Sequence, residues 1–227
     1  KAQILDFSEK DYFNGTCEIK PIATTRRNWQ RIFQTALEDL TGLLSPKKII
    51  YCEGRQEPTL TGEELGLDAD VYNEIFSEEQ HDVLFVSSGG GGVVDKNASL
   101  ALKVLSKAFT DVELYLLKDR DEVSEADRQS FLNADQTHRM LKRREIENYL
   151  FDKEVLRKFC IKQSVTFNET KYDTQVTNIN TQDLKPVQQQ IQASCGASGK
   201  ISDFKRSLAK FVIKDSQVYQ DLSGVIF

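Results

Sequence analysis

Two acidic strings and one glycine run carry the chemistry this sequence could perform. Glu53-Gly54 follows the apolar run at 47–52, and Asp119-Arg120-Asp121 follows the run at 112–118. Gly89-Gly90-Gly91-Gly92 comes shortly after a third run, at 82–86. Carboxylates are hard oxygen ligands that suit Mg²⁺ or Mn²⁺. Glycines at a helix entrance let backbone N–H groups approach a phosphate, so Gly89, Gly90 and Gly91 are candidate phosphate binders. No Gly-Lys-Ser/Thr follows the run, so it is not a nucleotide-binding P-loop. Either acidic string alone is a common surface turn. Their joint arrangement is what points to chemistry.

The three apolar runs are short, rich in β-branched and aromatic residues and bounded by breakers, as buried strands are. Helical spacing separates them at 70–76 and 100–109. Alternating strands and helices predict an α/β fold: a Rossmannoid parallel sheet flanked by helices, with a small C-terminal helical extension. In such sheets the carboxyl ends of the strands share one edge, where ligands bind. Glu53, the glycines, Asp119 and Asp121 should therefore meet on one rim.

Around this centre, three regions are expected. Residues 1–45 hold an N-terminal segment and an amphipathic helix at 28–44, with Trp29 on its core face. Residues 46–160 form the catalytic domain. Ser124 is placed to cap a helix there, with Asp127 three positions on, and 138–141 reads as a brief fourth strand. Residues 161–227 read as a helical accessory region: a polar loop at 163–182, then helices near 183–193 and 201–213. The start at Lys1 reads as a piece of a longer protein.

Composition limits the function classes. With 39% hydrophobic and 29% charged residues the 227-residue chain can fold around a core. No apolar run nears the roughly 18 residues of a membrane span, and nothing resembles a signal peptide, which points to the cytoplasm. Four cysteines without a C-x-x-C pair read as free thiols rather than a zinc site. His81 and His138 lack partners at ligand spacing and read as structural. A net charge of −5 argues against bulk electrostatic binding of nucleic acid. It does not exclude nuclease chemistry, because an acidic metal site counts as negative until filled.

The Glu53-Gly54 and Asp119-Arg120-Asp121 pattern resembles a TOPRIM domain, the metal-binding module of topoisomerases, primases and several nucleases. The strings Leu67-Asp68-Ala69-Asp70-Val71-Tyr72, Phe85-Val86-Ser87-Ser88-Gly89-Gly90 and Arg143-Arg144-Glu145-Ile146-Glu147-Asn148-Tyr149-Leu150 resemble, more narrowly, the TOPRIM half of OLD (overcoming lysogenization defect)-like nucleases. The resemblance covers about residues 28–160. It implies a Mg²⁺- or Mn²⁺-dependent nuclease acting on DNA or RNA, coupled to an ABC-type ATPase domain in cis or a partner in trans, in phage defence. A second copy of the chain is a further candidate partner. For the second acid after Glu-Gly, Asp68 matches the surrounding pattern better than Glu57, and both stay open.

The residues allow the same reading. Asp119 and Asp121 could bridge or separately hold one or two ions, and Glu53 could bind metal or relay a proton. Glu147 is the expected further ligand. Glu145, two residues away, should face elsewhere if that segment is extended. Lys142 is a candidate catalytic cation, and Arg143 and Arg144 are candidate phosphate contacts beside Arg55. A non-catalytic interaction domain with a structural metal is the rival reading. A primase- or topoisomerase-like activity is a third, disfavoured by the absence of a primase zinc motif or a nucleophilic tyrosine domain.

Overall fold

The apolar runs form strands close to where their patterns put them: Lys48–Cys52 (β1), Val83–Ser87 (β2) and Glu113–Lys118 (β3), followed by the short His138–Met140 (β4). The structure, a computed structural model, describes residues 46–53, 66–87 and 112–227, all within one compact unit, Pro46–Phe227. The helices expected at 28–44 and 100–109, the insertion carrying Arg55 and Glu57, and Gly89, Gly90 and Gly91 lie outside the described residues.

The sheet order is β2-β1-β3-β4, and every neighbouring pair is parallel. Cys52 at the end of β1 aligns with Ser87 on one side and Leu117 on the other. The chain leaves β1 for β2 on one flank and later returns to β3 on the opposite flank. That reversal makes the carboxyl ends of β1 and β3 the topological switch point, the usual ligand crevice of an open α/β sheet. Glu53 follows β1 and Asp119 follows β3, so the two walls of the crevice each begin with a carboxylate.

Leu67–Phe76 (α1) buries Val71, Tyr72, Ile75 and Phe76, the four-apart stripe seen in the sequence. Asn73 ties it to β2 through paired 2.9 Å bonds with the Phe85 backbone. Glu125–Ala134 (α2) starts as expected, with Ser124 Oγ accepting from Asp127 N at 3.1 Å. Glu147–Leu150 (α3), Lys153–Gln163 (α4), Glu169–Asp173 (α5), Gln188–Ser194 (α6), Ile201–Ala209 (α7) and Gln217–Ile226 (α8) follow among the described residues, with a 3-10 turn at Lys185–Val187. α8 has no counterpart in the sequence reading.

Alternation along the strands separates the two sheet faces. Ile50, Cys52, Phe85 and Leu117 join one continuous core with α1, Tyr149, Leu156, Leu184, Ile191, Leu208 and Leu222. Leu116 instead packs with Tyr51 and Phe131. The C-terminal helices thus share the core of the sheet. Phe204 on α7 meets Phe151 and Phe159 at ring-centroid distances of 6.1 and 5.3 Å.

Candidate functional site

The Asp119-Arg120-Asp121 turn is fixed from behind by the basic string. Arg120 N and Asp121 N both donate to the Arg144 carbonyl, at 2.9 and 3.0 Å. Arg144 N in turn donates to Asn180 O at 2.8 Å, which links the turn to the C-terminal region. The Arg120 guanidinium braces the turn through Val123 O at 3.1 Å, Lys142 O at 2.8 Å and Glu125 at 3.3 Å. Asp121 sits at φ 48°, a left-handed conformation that Asp tolerates better than most residues. On the other wall, Glu53 N donates to Leu117 O at 3.2 Å, carrying the β1–β3 pairing up to the carboxylate.

Four segments bring their carboxylates into electrostatic contact here. Burial pushes Asp119 well above the usual carboxylate range, and Asp68, Glu147, Glu53 and Glu145 push it further. Asp68, in the first turn of α1, is raised to about 6 by burial and by Glu147, with Lys205 and Lys185 pulling back. Glu53 is raised by burial and Asp121, against Lys118, an Asp119 backbone hydrogen bond and Lys185. Burial together with mutual repulsion of this kind is common among carboxylates of functional sites.

Glu147 departs from the others. Burial alone would raise it, but the Lys205 ammonium on α7, 2.6 Å away, with a backbone hydrogen bond and Lys185, more than offsets this and holds it below its ordinary value. Both partners are nearly out of solvent, at 10% and 6% side-chain exposure. The structure also corrects the expected direction of Glu145. Residues 143–146 form a bend leading into α3, so alternation along a strand does not apply, and Glu145 is buried in the same cluster. Its Oε1 accepts from Lys185 Nζ at 2.9 Å, while its Oε2 is buried without a hydrogen-bond partner.

A fully buried asparagine organises this string. Asn148 Oδ1 accepts from Glu145 N at 3.1 Å, and its Nδ2 donates to Ile179 O and Gln182 O at 2.8 and 2.9 Å. Tyr149 Oη accepts from the backbone of Lys142 and Arg143 at 3.2 and 3.1 Å.

The three candidate cations separate. Lys142 is exposed, and its ammonium has no ion-pair partner among the described residues. Arg143 is buried and occupied: it donates to Asn148 O and Asp152 Oδ2 at 2.8 and 2.7 Å, approaches Asp221 at 3.6 Å and lies over the Tyr149 ring. It braces α3 against α4 and α8 instead of facing the rim. Arg144 lies between Glu122 and Glu145 at 3.4 and 3.8 Å, with a buried Nε that has no hydrogen-bond partner.

Lys185 and Lys205 both come from the region expected to be accessory, and the sequence reading placed neither at the rim. The one signal for Lys205 is its place beside the apolar stripe of Phe204 and Leu208 on α7. Lys185 gives no signal. Among the described residues, no group of three or more His, Cys, Asp or Glu is arranged to hold a metal ion. The donor set itself is all carboxylate oxygen, which fits Mg²⁺ or Mn²⁺, and the orphaned Glu145 Oε2 is an acceptor awaiting a partner.

No helix among the described residues is long and apolar enough to cross a membrane. No family model matches the chain, and no curated protein matches it. Among solved structures, the chain is similar to the C-terminal region of the Burkholderia pseudomallei OLD protein, at 14% identity over 80% of this chain and 97% of that chain, with a TM-score of 0.43. A likeness this distant assigns no activity. The chain itself is an α/β protein, built on a four-stranded parallel sheet flanked by helices.

Proposed function

We propose that this chain is a divalent-metal-dependent nuclease module that hydrolyses phosphodiester bonds in DNA or RNA. The observation that carries the proposal is that Glu53 and Asp119 follow adjacent parallel strands at the switch point of the sheet, with Asp68, Glu145 and Glu147 near enough to raise the proton affinity of buried Asp119. Glu53, Asp68, Asp119, Asp121 and Glu147 would hold Mg²⁺ or Mn²⁺, with Glu145 as an additional ligand. The bound ions would activate water and stabilise the leaving oxygen.

The chain's own residues then have distinct tasks. The Arg144 carbonyl and the Arg120 guanidinium hold the turn that carries Asp119 and Asp121, so the backbone beneath these two carboxylates is fixed, and their side chains would close on the ion as it binds. Lys205 compensates Glu147 inside the protein. Lys142 is free to meet substrate. Coupling to an ATPase domain in cis or a partner in trans, and a role in phage defence, extend the proposal from the sequence resemblance.

The test is paired. Titration calorimetry with Mn²⁺ should give binding that Asp119→Asn weakens by about 100-fold or more, since that residue is central to the ligand set. Plasmid DNA or structured RNA should be cut in Mn²⁺, and Glu53→Gln should abolish the cutting. Metal binding without any cleavage by the chain or its ATPase-linked form would favour the interaction-domain reading. Unchanged binding in Asp119→Asn would remove the site.

A further inference from the structure

We propose that Lys185 is a substrate-contacting cation of this site, binding a phosphate of the nucleic-acid strand beside the carboxylates; this rests on the nuclease reading above. A polyanion approaching an acidic rim needs an accessible positive charge within that rim, and the net charge of −5 supplies none at a distance.

The cations around the rim differ in what remains available. The guanidinium groups of Arg120 and Arg143 are engaged in internal bonds, and Lys205 is buried against Glu147. Lys142 is exposed, but no ion pair among the described residues joins its ammonium to a rim carboxylate. Lys185 combines exposure with a direct bond into the carboxylate cluster. Its side chain is 58% exposed while its partner Glu145 is 4% exposed. Its charge is felt by Glu53, Asp68 and Glu147, and Asp119 acts on it in return.

The geometry suits phosphate. An ammonium carries three donors, and Glu145 Oε1 takes one at 2.9 Å, leaving two toward solvent. The backbone is held too: Lys185 N donates to Asp183 Oδ1 at 2.9 Å, and Pro186 follows in the 3-10 turn. A lysine tethered at one donor has already lost part of its rotamer freedom, so contact with phosphate costs less ordering.

The experiment measures binding of single-stranded DNA and RNA oligonucleotides by fluorescence anisotropy across a salt series, with cleavage followed in Mn²⁺. The variants are Lys185→Gln, Lys185→Arg and Lys162→Gln, the last removing the same charge from the final turn of α4. Lys185→Gln should reduce the slope of log K against log salt by about 0.7, the contribution of one phosphate contact on a single strand. It should also raise KM several-fold. Lys185→Arg should restore the slope, and Lys162→Gln should leave it unchanged. A purely structural Lys185 would change thermal stability and leave the slope intact. If Lys185→Gln fails to fold because Glu145 loses its pair, Glu145→Gln/Lys185→Gln removes both charges and reads the same slope. A wild-type slope in the folded variant, or an equal loss in Lys162→Gln, overturns the assignment of Lys185. A wild-type chain that neither binds nor cuts these strands with Mg²⁺ or Mn²⁺ overturns the nuclease reading itself.

Discussion

The sheet rim and the C-terminal helices solve opposite electrostatic problems. The rim gathers carboxylates that repel one another, so Asp119, Asp68 and Glu53 all hold protons more tightly than free acids do. The helices and their connecting loop return the countercharge, through Lys205 on α7 and Lys185 before α6. The difference teaches that neither region is electrostatically complete alone. A set of acids this crowded is costly to bury, and the lysines offset part of that cost.

Removing the inner lysine should break the comparison most severely. Lys205→Met leaves Glu147 buried and unpaired, and should destabilise the chain by about 3–5 kcal/mol, read as a lowered denaturant midpoint. The double variant Lys205→Met/Glu147→Gln should recover most of that loss. A single variant as stable as wild type would mean that Glu147 does not depend on α7.

The joint between the regions comes next. Asn148→Ala strands Glu145 N, Ile179 O and Gln182 O, and should cost about 2–3 kcal/mol. It should also weaken Mn²⁺ binding, because Glu145 and Glu147 lose their shared anchor. Calorimetry showing native metal affinity in a destabilised variant would reduce Asn148 to a packing role.

The smallest effect sharpens the rim alone. Asp68 has its folded pKa raised from 3.8 to about 6, so the folded state holds the extra proton between those values. Its contribution to stability is complete below about pH 4 and is lost as pH rises through about 6. Asp68→Asn removes that loss. The difference in thermal midpoint, variant minus wild type, should therefore grow between pH 4 and 7 in metal-free buffer and shrink when Mg²⁺ is added. A pH-independent difference would detach Asp68 from the cluster.

Much of the rim was legible in the sequence, because its determinants are local. Runs such as 47–52 and 112–118 declare strands by composition, and an acid placed directly after a parallel strand must lie at its carboxyl edge. Ser124 announced α2 three residues ahead of its partner. The countercharge was not legible. Lys185 and Lys205 reach Glu145 and Glu147 across separations of 40 and 58 residues, which no spacing rule records. Glu145 escaped because a four-residue helix is too short to show a period and the bend before it cancels strand alternation. Arg143 looked like a phosphate contact because a basic string looks the same whether it faces solvent or braces the interior. α8 carries Val218, Leu222 and Val225 at helical spacing, but Gly224 and two serines in and beside it weaken the helical signal.

The way α8 closes the molecule bears on how the chain folds. Arg139 Nε donates to Ile226 O at 3.1 Å, across 87 residues, and Phe76 meets Tyr219 and Phe227 at ring-centroid distances of 5.3 and 5.2 Å. The helix after the first strand is therefore covered by residues made about a hundred and fifty positions later. Loop-closure entropy must be met before those contacts contribute, so they raise the contact order and slow folding relative to a chain held by local contacts. During synthesis Phe76 can stack on Phe85 early but remains uncovered by Tyr219 and Phe227 until α8 has left the ribosome, and that part of its apolar surface stays open to chaperones or to neighbouring chains.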